Sequence, residues 1–98
     1  QLGLRLLASM ASDSSYDDLP IIFRLISPFL RIAPRQLRPD IIKVLDHLIS
    51  RSPQEAAFLL QQNLSASDNP DTAWLIRQVI LHFPAQLQVE LRKSIKRS

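Results

Sequence analysis

Residues 39–60 read PDIIKVLDHLISRSPQEAAFLL, and this stretch decides the fold class of the chain. Its first half repeats apolar residues at helical spacing, at Ile41, Val44, Leu45, Leu48 and Ile49. Because an α-helix turns once in about 3.6 residues, these side chains fall on one face. Ser52, Pro53 and Glu55 then supply a capping hydroxyl, a proline at the first helical position and a reciprocal capping carboxylate. The stretch therefore predicts two consecutive helices with a sharp break at Ser52.

The same helical period extends outward in both directions. We expect six helices. The first covers residues 2–11, the second is capped by Asp17 or Asp18 and reaches residue 33, the third runs from Gln36 or Pro39 to residue 51, and the others cover residues 53–64, 70–83 and 84–96. A turn is expected over residues 12–15 and a loop over residues 65–69. Pro28 interrupts an otherwise continuous apolar stripe, so it should kink its helix without ending it. Besides the stripe already given, the predicted core-facing positions are Leu6, Leu7, Met10, Ala11, Ile22, Leu25, Ile26, Phe29, Leu30, Ala33, Ala56, Ala57, Phe58, Leu59, Leu60, Leu64, Leu75, Ile76, Val79, Ile80, Phe83, Leu87, Leu91 and Ile95.

Composition excludes several classes of protein. The 98 residues are 46% hydrophobic, enough for one core, and they include one Gly and no Cys. Scarce glycine disfavours the tight turns of an all-β fold, and the lack of cysteine removes disulfides and thiolate metal sites. The longest apolar runs have about five residues, too few for a membrane span or a signal peptide. We therefore expect one intracellular domain, cytoplasmic or nuclear, over residues 1–98.

The chain also resembles itself at a shift of 50 residues. Residues 20–45 align with residues 70–95 without a gap, and seven of the 26 pairs are identical, whereas composition alone gives about two. Prolines recur at the helix start and at the break between helices. This register predicts an internal repeat of helical units, which need stacked neighbours to bury their faces. We therefore expect the chain to be a fragment or terminal part of a longer chain.

The repeat resembles the HEAT/armadillo class of α-helical repeats. The resemblance lies in Leu19–Ile22 and Pro28 of one helix, followed by the aliphatic–basic pair Ile42 and Lys43 in the next. Leu37 stands where that class commonly has an acidic residue. The resemblance implies five to six antiparallel helices stacked as HEAT-like units, and a binding scaffold in place of a catalyst. The alternative fold is an irregular helical bundle.

The sequence contains no recognisable catalytic or metal-binding set. His47 and His82 lie 35 positions apart, without cysteine or carboxylate at ligand spacing. The lone glycine, Gly3, cannot form a phosphate-binding loop, and no nucleophile, base and orienting group can be assembled. We therefore predict a protein that is not an enzyme and that has no cofactor or metal.

Charge supplies the one candidate site. The formal net charge is +3, and the segments 24–38 and 92–97 contain basic residues without any acid. Most acids stand at helix starts, where the helix dipole favours them. We predict a partner-binding basic face formed by Arg35, Arg38, Lys43, Arg92, Lys93, Lys96 and Arg97, with a merely solvated surface as the alternative.

Two functions of different class follow from this face. The first is a non-enzymatic protein–protein interaction scaffold built from helical repeats, with an acidic protein partner. The alternative is a basic α-helical module that binds nucleic acid, although such modules usually carry more charge and interleaved aromatic residues. Salt separates the two, because phosphate contacts weaken steeply as the salt concentration rises.

Overall fold

The computed structural model describes residues 2–13, 15, 17–31, 33–66 and 70–97. Within these ranges all regular structure is helical, with no strand. The helices are α1 (Leu2–Ser12), α2 (Leu19–Arg31), α3 (Arg38–Arg51), α4 (Pro53–Ala66), α5 (Pro70–Val79) and α6 (Ala85–Arg97), with 3₁₀ helices at Arg35–Leu37 and Ile80–His82. The predicted all-α class is confirmed.

Prolines set several of the helix boundaries. Pro53 and Pro70 are the first residues of α4 and α5, and Pro39 lies in the first turn of α3. A proline costs nothing there, because the first N–H groups of a helix have no intrahelical acceptor. Pro28 lies inside α2, which continues to Arg31, so the prediction that it would not end the helix is confirmed.

Several helix boundaries differ from the sequence prediction by one or two residues, and the end of α5 differs by four. The helix α4 runs to Ala66, so the prediction of a loop from residue 65 is wrong. The helix α5 ends at Val79, four residues before the predicted end at Phe83, and the chain tightens into the second 3₁₀ helix. Helices commonly end in a 3₁₀ turn in this way, because hydrogen bonds between residues three apart satisfy the last carbonyl groups of the helix.

The turn after α1 is held by one carboxylate. The hydroxyl and the backbone N–H of Ser15 both donate to Oδ1 of Asp13, at 2.7 Å and 3.0 Å. These bonds favour the ionised form, so they lower the pKa of Asp13 below its ordinary value of 3.8, the hydroxyl being the larger cause. The predicted turn is confirmed for these two residues, and Ser14 lies outside the described residues.

The predicted core faces of α3 and α5 are confirmed. All five stripe positions of α3 are buried, as are Leu75, Ile76 and Val79 of α5 and Ile80 and Phe83 after it. All of them belong to one continuous hydrophobic core.

Three predicted core positions are wrong. Leu6, Leu25 and Phe58 are exposed by 62%, 49% and 61%. In the helices that carry these residues, apolar side chains extend around more of the circumference than the neighbouring helices cover. Phe58, for example, lies two residues from the fully buried Leu60 and therefore points about 200° away from it around α4. In α1, Leu4 is buried, a position that the predicted stripe omitted.

Helices two apart in the chain contact each other. The helix α3 packs against both α1 and α5, which we call the odd row, and α4 packs against both α2 and α6, which we call the even row. Contacts between the rows join α1 to α2, α2 to α3, α3 to α4, α4 to α5 and α2 to α5. The whole measures 36 × 28 × 19 Å.

Side chains tie helices of the same row at corresponding ends. Arg51, the last residue of α3, donates from Nη1 to the carbonyl oxygen of Ala11 near the end of α1, at 3.4 Å. Arg31, the last residue of α2, donates from Nε to Oδ1 of Asn63 near the end of α4, at 3.0 Å. The buried Asn63 in turn donates from Nδ2 to a carbonyl oxygen of its own helix, at 2.9 Å.

One buried hydrogen bond ties the two rows at opposite ends. The hydroxyl of Thr72, in the first turn of α5, donates to the carbonyl oxygen of Leu30 near the end of α2, at 2.6 Å. Both side chains are fully buried. The last carbonyl groups of a helix lack intrahelical partners, so this hydroxyl satisfies a group that would otherwise be buried unpaired.

Candidate functional site

An open polar groove of about 470 Å³ lies between α1 and α3, the first two helices of the odd row. We call it the α1–α3 groove. It is lined by Arg5, Ala8, Ser9, Ser12, Asp40, Lys43 and His47.

The α1 wall of the groove consists of the polar side of an amphipathic helix. Arg5, Ser9 and Ser12 follow each other at intervals of four and three residues, which places them on one helix face. The opposite face carries the buried Leu7 and Ala11. The hydroxyl of Ser12 donates to the carbonyl oxygen of Ser9 at 3.0 Å, so it is already engaged within the helix.

The α3 wall follows the same rule. Asp40, Lys43 and His47 are spaced by three and four residues, and the buried Leu45 lies on the other side of the helix. Lys43 is exposed, whereas Asp40 and His47 are half-buried. The groove thus brings together two cations, one carboxylate and one imidazole from two helices.

The cations of the groove are not neutralised within the described part of the chain. Neither Arg5 nor Lys43 has an acidic partner within 4.0 Å there. Asp40 lies in the first turn of α3, where its charge interacts favourably with the helix dipole. The two cations and the one carboxylate therefore give the groove an excess of one positive charge.

Arg38 has a different environment from Lys43. Its Nη2 lies 2.8 Å from Oδ1 of Asp71, and its Nε donates to the carbonyl oxygen of Ala33 at 3.0 Å. Its guanidinium lies 4.6 Å from the ring centroid of Trp74. The side chain is only 18% exposed. Arg38 therefore joins α3 to α5 within the odd row.

The remaining basic residues of the predicted face lie elsewhere. Arg35 is exposed in the first 3₁₀ helix, and Arg92 and Lys93 are exposed on α6. Arg92 reaches the side-chain oxygen of Gln88, one turn earlier, at 3.5 Å. The side chains of Lys96 and Arg97 lie outside the described residues.

The structure thus assigns the predicted basic residues to both rows. Lys43 belongs to a helix of the odd row, and Arg92 and Lys93 belong to α6 of the even row. The single basic face predicted from the sequence would have to extend across both rows.

Of the residues that line the groove, sequence reasoning had assigned only Lys43 to a binding site. Arg5 was not included in the basic face, and His47 was considered only as a metal ligand and was not assigned to a site. The usable signal was the spacing, because Arg5 with Ser9 and Lys43 with His47 are both pairs four residues apart on polar helix faces. What the sequence could not supply is that α1 and α3 lie side by side.

The second histidine makes a contact between helices. Nδ1 of His82, in the second 3₁₀ helix, lies 2.7 Å from Oδ1 of Asp46 on α3. That carboxylate oxygen is shielded from solvent and has no well-aligned hydrogen-bond donor among the described residues. The imidazole nitrogen is the polar group that lies against it. No three His, Cys, Asp or Glu side chains converge on a possible metal position among the described residues.

Comparisons with known proteins identified no relative of this chain. No protein-family model matches the sequence, and neither a curated protein nor a solved structure is similar enough to count as a match. Among the described residues, no helix has the length and apolar character required to cross a membrane. Function is therefore inferred from the groove and the helix packing alone.

Proposed function

We propose that this chain is a non-enzymatic scaffold of HEAT-like helical pairs that binds an acidic segment of a protein partner in the α1–α3 groove. The observation that carries the proposal is the two-row packing, which leaves two adjacent parallel walls of the odd row open to solvent. The predicted intracellular location stays a prediction.

The packing supports a stack of antiparallel helical pairs. Helices of one row meet at corresponding ends, through Arg51 and Ala11 in the odd row and Arg31 and Asn63 in the even row. The helices α2 and α5, from different rows, meet at opposite ends. Chains of helices that alternate in direction and contact only near neighbours are typical of α-solenoids.

The structural unit favoured by these contacts is a pair of helices. The 50-residue register in the sequence relates helices three apart, such as α2 and α5, and that repeat stays a prediction. Pairs stacked in two rows present long grooves between neighbouring helices of one row, which are the usual binding surfaces of such scaffolds.

The charge of the groove favours an acidic partner. Among the described residues, neither Arg5 nor Lys43 has an acidic partner within 4.0 Å, so an acidic side chain that enters the groove can contact both cations. Exposed pairs of this kind contribute about 0.2–1 kcal/mol each, so specificity has to come from several contacts made together. A groove between two helices can supply them.

Site-specific photo-crosslinking of the full chain in the cells that make it tests this function. A photoreactive residue at Ser9 reports on the groove, and one at Gln62, exposed on α4 of the even row, is the matched control. We expect a discrete protein adduct from Ser9 and none from Gln62. The adduct should disappear in the Arg5→Glu, Lys43→Glu double variant.

Two outcomes contradict the proposal. An adduct that is sensitive to nuclease but resistant to protease would identify the chain as the alternative, a nucleic-acid-binding module. Equal adducts from the groove and from Gln62, or none from the groove, would mean that the α1–α3 groove is only a solvated polar surface.

A further inference from the structure

We propose that the α1–α3 groove recognises a phosphorylated serine or threonine in the partner segment, a claim that rests on the function proposed above. The proposal concerns the kind of anion, because a scaffold could instead bind aspartate and glutamate side chains. Four groups of the groove bear on the choice: Arg5, Ser9, Lys43 and His47.

The number and origin of the donors favour a phosphomonoester over a carboxylate. A guanidinium and a hydroxyl come from α1, and an ammonium and an imidazole come from α3. A carboxylate presents two oxygens in one plane, whereas a phosphomonoester presents three strong acceptor oxygens and a charge near −2 at neutral pH. Donors on two opposing walls suit the three oxygens of a phosphomonoester better than the two coplanar oxygens of a carboxylate. Arginine is also well matched to phosphate.

The free state of the groove also points to a strongly charged ligand. Across the groove, Arg5 and Lys43 are two like charges with no acidic partner within 4.0 Å in the described part of the chain. Their mutual repulsion is relieved when an anion lies between them. With the carboxylate of Asp40 counted, the charged side chains of the groove still carry an excess of one positive charge. The Coulomb attraction of that excess grows with the charge of the ligand, so it is greater for a dianion than for a single carboxylate.

Asp40 limits the ligand to one phosphate. Its carboxylate lines the groove one turn before Lys43, at the start of α3. A continuous nucleic-acid strand that ran along the groove would bring a second phosphate against this carboxylate, which is unfavourable. A peptide with one phosphate has no such conflict, so the groove favours a phosphopeptide over a polynucleotide.

Fluorescence anisotropy with degenerate peptide libraries tests the inference on the full chain. Three labelled libraries share random flanks and carry phosphoserine, glutamate or serine at the centre. We expect phosphoserine peptides to bind about tenfold more tightly than glutamate peptides, the effect of roughly one additional charge-assisted hydrogen bond. Arg5→Gln and Lys43→Gln should each remove this preference.

The matched control is Arg24→Gln, which removes one exposed arginine from α2 in the even row. It changes the net charge by the same amount and should leave the tenfold preference intact. Amide chemical shifts of the wild-type protein, followed while phosphoserine is added, supply a readout independent of any variant's stability. Changes confined to residues 5–12 and 40–47 support the inference.

The outcomes separate the two proposals. If glutamate and phosphoserine libraries bind equally and the groove variants weaken both, phosphate recognition is wrong and the acidic-partner scaffold stands. If Arg24→Gln weakens binding as much as Lys43→Gln, or shifts change all over the surface, the groove is not the site and both proposals fail. Tighter binding of a single-stranded oligonucleotide than of phosphopeptides also overturns both.

Discussion

Replacing Arg38 with methionine should destabilise the fold far more than replacing any exposed arginine. Arg38→Met keeps most of the aliphatic length but removes the contact with Asp71 at 2.8 Å, the donor to the carbonyl of Ala33 and the cation over Trp74. All three contacts hold the start of α3 against its surroundings in the odd row. The side chain is 18% exposed, so water cannot fully replace them.

The expected loss follows from these contacts. A charge-assisted hydrogen bond in a half-exposed pair contributes about 1–2 kcal/mol, and the bond to a neutral carbonyl about 1 kcal/mol. The cation–π contact adds about 0.5–1 kcal/mol. Together they predict a loss of about 2.5–4 kcal/mol, a large share of the roughly 5–15 kcal/mol expected for a chain of 98 residues. Such a loss lowers Tm by about 10–25 °C.

Urea unfolding followed by circular dichroism and by tryptophan fluorescence measures this loss. Trp74 is the only tryptophan, so its emission reports on the ring beneath the guanidinium. The matched control is Arg35→Met, which removes an exposed arginine three residues earlier and should shift the midpoint little. A double-mutant cycle with Asp71→Asn should give a coupling of about 1 kcal/mol. An unchanged midpoint in Arg38→Met, or an equal shift in Arg35→Met, would refute the reasoning.

Three further predictions test other contacts. Thr72→Val should lower the free energy of unfolding by about 1–2 kcal/mol in urea titrations, because a buried carbonyl at the end of α2 loses its donor; equal stability would contradict this. His82→Leu should lower Tm only slightly, because the contact joins two side chains that are 51% and 36% exposed and such pairs contribute little; no loss at all would count against the pair. The hydrogen bonds from Ser15 lower the pKa of Asp13 in the folded state, so the folded state binds fewer protons than the unfolded state. The stability that these bonds contribute is therefore present above the unfolded pKa and is lost as the pH falls through the folded pKa. Urea midpoints of Asp13→Asn and wild type should therefore differ at neutral pH and converge in strong acid, and a constant difference would disprove the linkage.

The sequence predicted the helices well because local signals decide them. The apolar period of α3 and prolines such as Pro53 and Pro70 act within one or two turns, so no tertiary information is needed. It failed where burial depends on which helix lies alongside. Leu25 continues an apolar stripe but is left exposed, since no pattern within α2 tells how wide a sector its neighbours cover.

The candidate site was predictable only in part, for the same reason. Lys43 was found because it lies on the polar side of a clear stripe. Arg5 and His47 join it only because α1 packs against α3, a contact between elements separated by the whole of α2. A shift of 50 residues pairs α2 with α5, whereas the contacts between like helix ends pair α2 with α4.

Two basic residues of the predicted face, Arg38 and Lys43, have different surroundings, and helix geometry explains the difference. Arg38 and Lys43 are five residues apart, so their side chains point about 140° away from each other around α3. One of them can face α5 and the other can face solvent, but the two cannot contact one partner from the same wall. The ion pair of Arg38 with Asp71 fixes the start of α3, and the bond from Arg51 to the carbonyl of α1 fixes its end. The contact of Arg51 holds the end of α3 to α1, and Lys43 and Arg5 line the groove between these two helices. Arg38, which the sequence assigned to the basic face, thus helps to hold the helix that carries Lys43.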